Sequence, residues 1–312
     1  MPIDCRSIGS PSSPQPSPPR RRTLFASAAT IALLLAALFG IAWTASERAI
    51  HPSAAHYAKG LADFPELHPR QVGFNSRTQT RIAGWFFPAR RRTTIVLSHG
   101  FGDNQAQMLP YAAFLVRQGF SILTYDMRSR GSSGGDAVTF GGLESLDLSS
   151  AVDYLMTRSD VDRDRIGAMG VSLGGATTIL AAASDSRIKA VVDDSGFSDV
   201  PSAVRNSFEH FIRLPPVLFA PMTVFIARLR TGIDMNRISP VDVIARISPR
   251  PVLIIHCMTD KVLLPDNSER NFRAAGEPKY FWRIPAGDHV GGLEVAGQEY
   301  ERRVSQFFDS LR

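Results

Sequence analysis

Gly170-Val171-Ser172-Leu173-Gly174 follows a strand-like run at 165–169 and leads into an alanine-rich, helix-like run at 176–183. A G-x-S-x-G pentapeptide between a strand and a helix predicts a nucleophile elbow. The turn is so tight that the positions flanking the serine must carry almost no side chain. It lifts the hydroxyl out of the sheet, and the helix N-terminus beneath it favours negative charge developing there. The pentapeptide therefore constrains the fold as well as the chemistry.

The surrounding chain fits that constraint. From about residue 68, strand-like and helix-like runs alternate, the signature of a mostly parallel sheet covered on both faces. Runs at 72–74 and 82–87 predict an opening antiparallel pair, and those at 94–98, 120–125, 188–192, 251–257 and 280–284 predict further strands. Helices are expected over 105–118, 144–158, 266–275 and 298–311. Residues 197–240 break the rhythm with many apolar side chains and with Pro215, Pro216 and Pro221. They predict a lid of two short helices inserted between strands; such lids often line an acyl pocket, while packing onto the core accounts for most of these apolar residues.

The N-terminus is different in kind. Residues 1–19 are rich in Ser and Pro and are expected to be disordered, a basic tail that runs to residue 23. Arg20, Arg21 and Arg22 precede an uncharged apolar stretch from Leu24 to Trp43. At 1.5 Å per residue, some twenty residues span about 30 Å, the thickness of a bilayer's hydrocarbon core. Two readings compete. A signal anchor over 24–45 would place one helix across the membrane, with a linker at 46–67 and the catalytic domain, 68–312, on the extracytoplasmic side. Alternatively, Arg21-Arg22-Thr23-Leu24-Phe25 resembles a twin-arginine export signal that is cleaved. The stretch exceeds the usual signal-peptide core, and bulky Trp43 stands where a small residue is wanted, so the anchor is preferred.

A net charge of +6 raises the question of nucleic acid. Only four of the 35 basic residues are lysine, and the arginines are scattered apart from two triplets, so no basic helix or aromatic platform forms. No nucleic-acid partner is expected. Cys5 and Cys257 make neither a disulfide framework nor a zinc spacing.

A serine hydroxyl needs a base, and the base needs an orienting acid. In elbow folds these follow in the order Ser, Asp, His. Asp260 sits in the loop after the buried strand ending at His256, and His289 sits in the loop after the last strand. Both land on the sheet edge that carries Ser172, where open α/β folds place their sites. Asp193 and Asp194, after the preceding strand, are the alternative acids. His99 reads as a loop-fixing residue, His256 as packing, and His51, His56 and His68 belong to the linker. The backbone amides of Phe101, in the loop after strand 94–98, and of Leu173 are the expected oxyanion donors. No spacing of His, Asp or Glu predicts a metal site.

These residues resemble the α/β-hydrolase superfamily, in particular its membrane-anchored, single-domain branch of esterase-like and serine-aminopeptidase-like proteins. The resemblance covers roughly residues 68–312. It rests on His99-Gly100-Phe101-Gly102-Asp103-Asn104, the stretch 126–134, the elbow, Ser239-Pro240-Val241, and the loops of Asp260 and His289. It implies hydrolysis of a small-molecule or lipid ester through an acyl-enzyme, with no metal or organic cofactor. A peptidase or amidase shares every one of these parts, and a non-catalytic binding protein of the same fold is the remaining alternative. The family's D-x-R-G-x-G-x-S stretch is interrupted here by Ser129 and Arg130. That loop borders the site.

Overall fold

The protein is described by a computed structural model that covers residues 20–53 and 60–311. The expected disordered tail up to residue 19, and residues 54–59 of the expected linker, lie outside the described residues. Among these residues one sheet holds eight strands: β1 (Arg70–Asn75), β2 (Arg81–Phe87), β3 (Thr94–Ser98), β4 (Ser121–Tyr125), β5 (Ile166–Val171), β6 (Ile188–Asp194), β7 (Val252–Cys257) and β8 (Lys279–Ile284). Their spatial order is 1-2-4-3-5-6-7-8. Strand β2 runs antiparallel to both neighbours, and β3 to β8 are parallel. This is the α/β-hydrolase architecture.

The central strands β3, β4, β5 and β7 are buried at every position. That is the expected state of parallel strands covered on both faces, and it explains their continuous apolar runs in place of alternation. The helices are α1 (Arg20–Ile50), α2 (Leu109–Arg117), α3 (Glu144–Met156), α4 (Leu173–Ser184), α5 (Val200–Ser207), α6 (Pro216–Thr231), α7 (Pro240–Val243), α8 (Asp266–Ala274), α9 (Gly292–Ala296) and α10 (Gln298–Phe308). A large core cluster joins Phe114, Ile95, Leu97, Met169, Ile255, Tyr300 and Phe308.

Two elements differ from expectation. The helix expected from residue 105 opens as a 3-10 turn, Gln105–Met108, before α2 begins. The side chain of Asn104 accepts from the Ala106 amide and caps that turn. The expected closing helix likewise tightens into a 3-10 turn at Asp309–Leu311, with the short α9 ahead of it.

The insertion between β6 and β7 is a helical cap: α5, a π-helical turn at Phe208–Ile212, α6 and α7. Contacts divide the chain into a unit ending at Gly40 and a compact unit Ile41–Arg312. The last turns of α1 belong to the second unit. There Ala42, Ser46 and Ile50 are buried, and the Val138 amide donates to the Ile50 carbonyl at 2.8 Å. Ser27–Ile50 is long and apolar enough to cross a membrane.

Candidate active site

The elbow is built as its glycines demand. A Cβ on Gly170 would stand 2.1 Å from the Gly174 carbonyl carbon, and one on Gly174 would stand 2.1 Å from the Ser98 carbonyl oxygen. The turn therefore packs backbone on backbone against the end of β3. Ser172 itself takes φ 54° and ψ −119°, a conformation L-residues rarely adopt. Such a residue costs of order 1–3 kcal/mol, which the surrounding structure must hold in place. Its amide donates to the Asp194 carbonyl at 2.8 Å, so β6 fixes the turn from the other side.

Two loops from β7 and β8 complete the arrangement. The Ser172 Oγ lies 2.8 Å from His289 Nε2, and His289 Nδ1 lies 2.7 Å from Asp260 Oδ2. An ionised carboxylate can only accept, so Nδ1 carries the proton and Nε2 is left to accept from the serine hydroxyl. Thr259 joins the loops: its hydroxyl donates to the Gly287 carbonyl and accepts from the Gly287 amide, each at 2.9 Å.

Asp260 is held from all sides. Its Oδ1 accepts from the amides of Val262 and Leu263 at 2.8 and 3.1 Å. Its Oδ2 faces both His289 and His256, the latter at 3.2 Å. Burial alone would raise its pKa, but the hydrogen bonds from His256 and His289 outweigh this and hold the carboxyl well below the usual range. His256, read from the sequence as packing, is thus a second histidine on the same carboxylate. Its Nε2 also lies 3.0 Å from the Leu263 carbonyl and its Nδ1 2.6 Å from the Ser268 hydroxyl. Burial opposes its charge, yet Asp260 brings the net shift upward. Only its spacing, four residues before Asp260, could have signalled this.

The alternative acids are occupied elsewhere. Asp194 accepts from Tyr300 at 2.5 Å and from Ser195 at 2.8 Å, and Asp193 accepts from the Gly196 amide at 3.0 Å. Burial pushes Asp193 up from the usual 3.8 to about 7. The fold therefore keeps a proton that the unfolded chain releases near pH 4. This contribution to stability is fully present below that pH and is lost as pH rises to about 7. Asp193→Asn cannot ionise, so its thermal midpoint relative to the natural chain is expected to climb between pH 4 and pH 8. Melting curves of both proteins across that range check it.

The loop after β3 closes the site. A Cβ on Gly100 would lie 3.5 Å from Ser172 Cβ, so the loop runs beside the serine. Three side chains fix it. Gln107 accepts from the Gly100 amide at 2.5 Å and donates to Asp103 at 2.7 Å. His99, buried, accepts the Met127 amide on Nε2 at 3.0 Å, so its Nδ1–H donates to the Gly100 carbonyl at 2.8 Å. Burial lowers its pKa to about 4, which keeps this imidazole neutral. Arg130, half of the interruption noted in the sequence, donates to the carbonyls of Gly102 and Asp103.

A cavity of about 730 Å³ opens at Ser172 and His289. Phe101, Tyr111, Val290 and Leu293 give it apolar walls, and Asp103, Asp288 and Glu294 also line it. No residue from 197–240 lines this cavity, which lies between the β3 loop and the β8–α9 segment. Burial raises Asp103 to about 6. Among the described residues, no group of three or more His, Cys, Asp or Glu is placed to hold a metal ion.

Residues 44–207 match the family described as X-Pro dipeptidyl-peptidase (S15 family). The uncharacterized protein YqkD of Bacillus subtilis is 29% identical over 220 residues, which covers 70% of this chain and 72% of YqkD. The uncharacterized protein YcjY of Escherichia coli is 36% identical over 147 residues, 45% of this chain and 48% of its own. Among solved structures, an esterase of Pyrococcus furiosus superposes with a TM-score of 0.69 at 21% identity, over 83% of this chain and 98% of that one. The acylaminoacyl peptidase of Pyrococcus horikoshii superposes with a TM-score of 0.61 at 20% identity, over 80% and 43%. These likenesses speak for the fold. With the family match spanning more than half of its length, the chain belongs to the S15 family and is a hydrolase of the α/β-hydrolase superfamily.

Proposed function

We propose that the protein is a serine hydrolase that cleaves carboxylic esters through an acyl-enzyme. The observation that carries this reading is the unbroken hydrogen-bond chain from Asp260 through His289 to Ser172, opening onto a cavity with apolar walls. Ser172 Oγ attacks the ester carbonyl while His289 Nε2 takes its proton. Asp260 holds the imidazole in the tautomer that leaves Nε2 free and stabilises the imidazolium. The amides of Phe101 and Leu173 receive the oxyanion, each such donor being worth about 10²–10³ in rate. His289 then protonates the departing alcohol, and water deacylates Ser172 by the same route in reverse.

A peptidase reading is favoured by a separate observation. Asp103, Asp288 and Glu294 line the cavity and suit the free α-amine of a peptide, in keeping with the family's name. The full-length chain in detergent, given p-nitrophenyl acyl esters and Xaa-Pro p-nitroanilides, separates the two. Faster ester turnover is expected. Faster anilide turnover that N-acetylation of the substrate abolishes would overturn the ester reading in favour of the peptidase.

The same proposal assigns 24–45 as a signal anchor, with Arg20, Arg21 and Arg22 on the cytoplasmic side and the catalytic domain, 68–312, outside the cytoplasm. What supports it is the length and apolar composition of the helix.

A further inference from the structure

The first three turns of helix α6 carry no charged residue. Its inner face buries Phe219, Val224, Ile226 and Ala227 against the domain. Its outer face carries Val217 (85% exposed), Leu218 (47%), Phe225 (55%) and Leu229 (68%), and the turn before it adds Phe211 (65%) and Ile212 (39%). No charged residue occurs between Arg213 and Arg228. A helix on a water-facing surface puts its polar residues outward, and before Arg228 this one turns apolar ones outward instead. An exposed apolar patch of this extent, bounded by arginines, marks a docking face.

The contacts of the cap say what covers it. Arg230, at the end of α6, pairs with Glu47, and its guanidinium lies 4.9 Å over the Trp43 ring. Both partners lie on the last turns of the apolar helix α1 and within the same compact unit as the cap. Five residues after Glu47 the chain is fastened again. Arg130 donates to the carbonyls of Pro52 and Ser53 as well as to those of Gly102 and Asp103. The point where the chain leaves its apolar helix is thus tied both to the cap and to the loop bearing Phe101.

We propose that Phe211, Ile212, Val217, Leu218, Phe225 and Leu229 lie in the interfacial layer of the bilayer that holds the N-terminal helix. The cap is then a second, peripheral membrane contact. This rests on the anchored reading above. Aromatic and aliphatic side chains flanked by arginine are the composition that settles at the headgroup boundary, where guanidinium groups reach the phosphates. The Ser129-Arg130 interruption acquires a role: Arg130 clamps the post-anchor segment onto the loop beside the nucleophile.

Full-length chain in phosphatidylcholine–phosphatidylglycerol nanodiscs tests this. With Cys5→Ser and Cys257→Ala as background, NBD is attached at Phe225→Cys and, separately, at Leu229→Cys. Leu33→Cys reports the anchor, read with lipids whose doxyl group sits deep on the acyl chain, and Glu277→Cys, at the opposite sheet edge, reports water. Lipids bearing a doxyl group near the headgroup are expected to quench the labels at 225 and 229 several-fold more than the label at 277. Labels at 225 and 229 that behave like 277, while 33 is quenched, would overturn the proposal and leave the anchor standing. A label at 33 that also escapes quenching would remove the anchored reading, and this proposal with it. A blue-shifted but unquenched label at 225 in discs holding two copies would put a second chain on this face and overturn the bilayer assignment.

Discussion

Ser172→Ala is expected to remove turnover by roughly 10⁴–10⁶-fold, with KM and thermal midpoint little changed. The oxygen removed takes part in the hydrogen bond to His289, while the turn is held by the Ser172 amide on Asp194 and by the glycine packing against β3. The fold therefore keeps its supports when the hydroxyl goes. His289→Ala should fall to a similar residual rate, and the double variant to no lower one, because residues acting as one unit are not additive. Steady-state kinetics on a chromogenic ester, beside a melting curve, measures both effects. A single variant that retained a tenth of the natural rate would remove Ser172 from the role of nucleophile.

Asp260→Asn is expected to cost about 10⁴ in kcat, and the cause lies in which oxygen is replaced. The two loop amides of Val262 and Leu263 hold Oδ1, so an asparagine keeps its carbonyl there. Its NH2 must then face His289 and His256. A donor in that position forces His289 Nδ1 to accept, puts the imidazole proton on Nε2, and presents hydrogen to the serine hydroxyl instead of a lone pair. The base is in place but in the wrong tautomer. The fall should appear in kcat with KM nearly unmoved, since Asp260 stands behind the imidazole and away from the cavity lining. A variant whose kcat stays within tenfold of the natural enzyme would show that another group orients His289.

Much of this site is legible in the sequence, for a physical reason. An elbow tolerates only near-side-chain-free neighbours, so Gly170 and Gly174 announce it locally. The acid and base must then occupy strand-end loops, which apolar runs make visible. Legibility stopped where side chains decide. His256 has the sequence surroundings of a core residue, and only folding brings its ring to Asp260. Gln107 and Arg130 act on carbonyls and amides of the β3 loop, contacts that leave no periodic trace. The apolar insertion was visible as a cap, but its direction was not. The cavity at Ser172 is walled by other loops, and Val217, Phe225 and Leu229 of α6 are exposed. Composition records that a segment is apolar, not which side of it is covered.

The central claim is that Ser172 is an activated nucleophile. The most direct test treats the full-length chain with a fluorophosphonate and locates the adduct by mass spectrometry, with no substrate assumed. A single adduct on Ser172 that disappears in His289→Ala is the predicted result. A folded protein that takes no label, or takes it equally without His289, would contradict it.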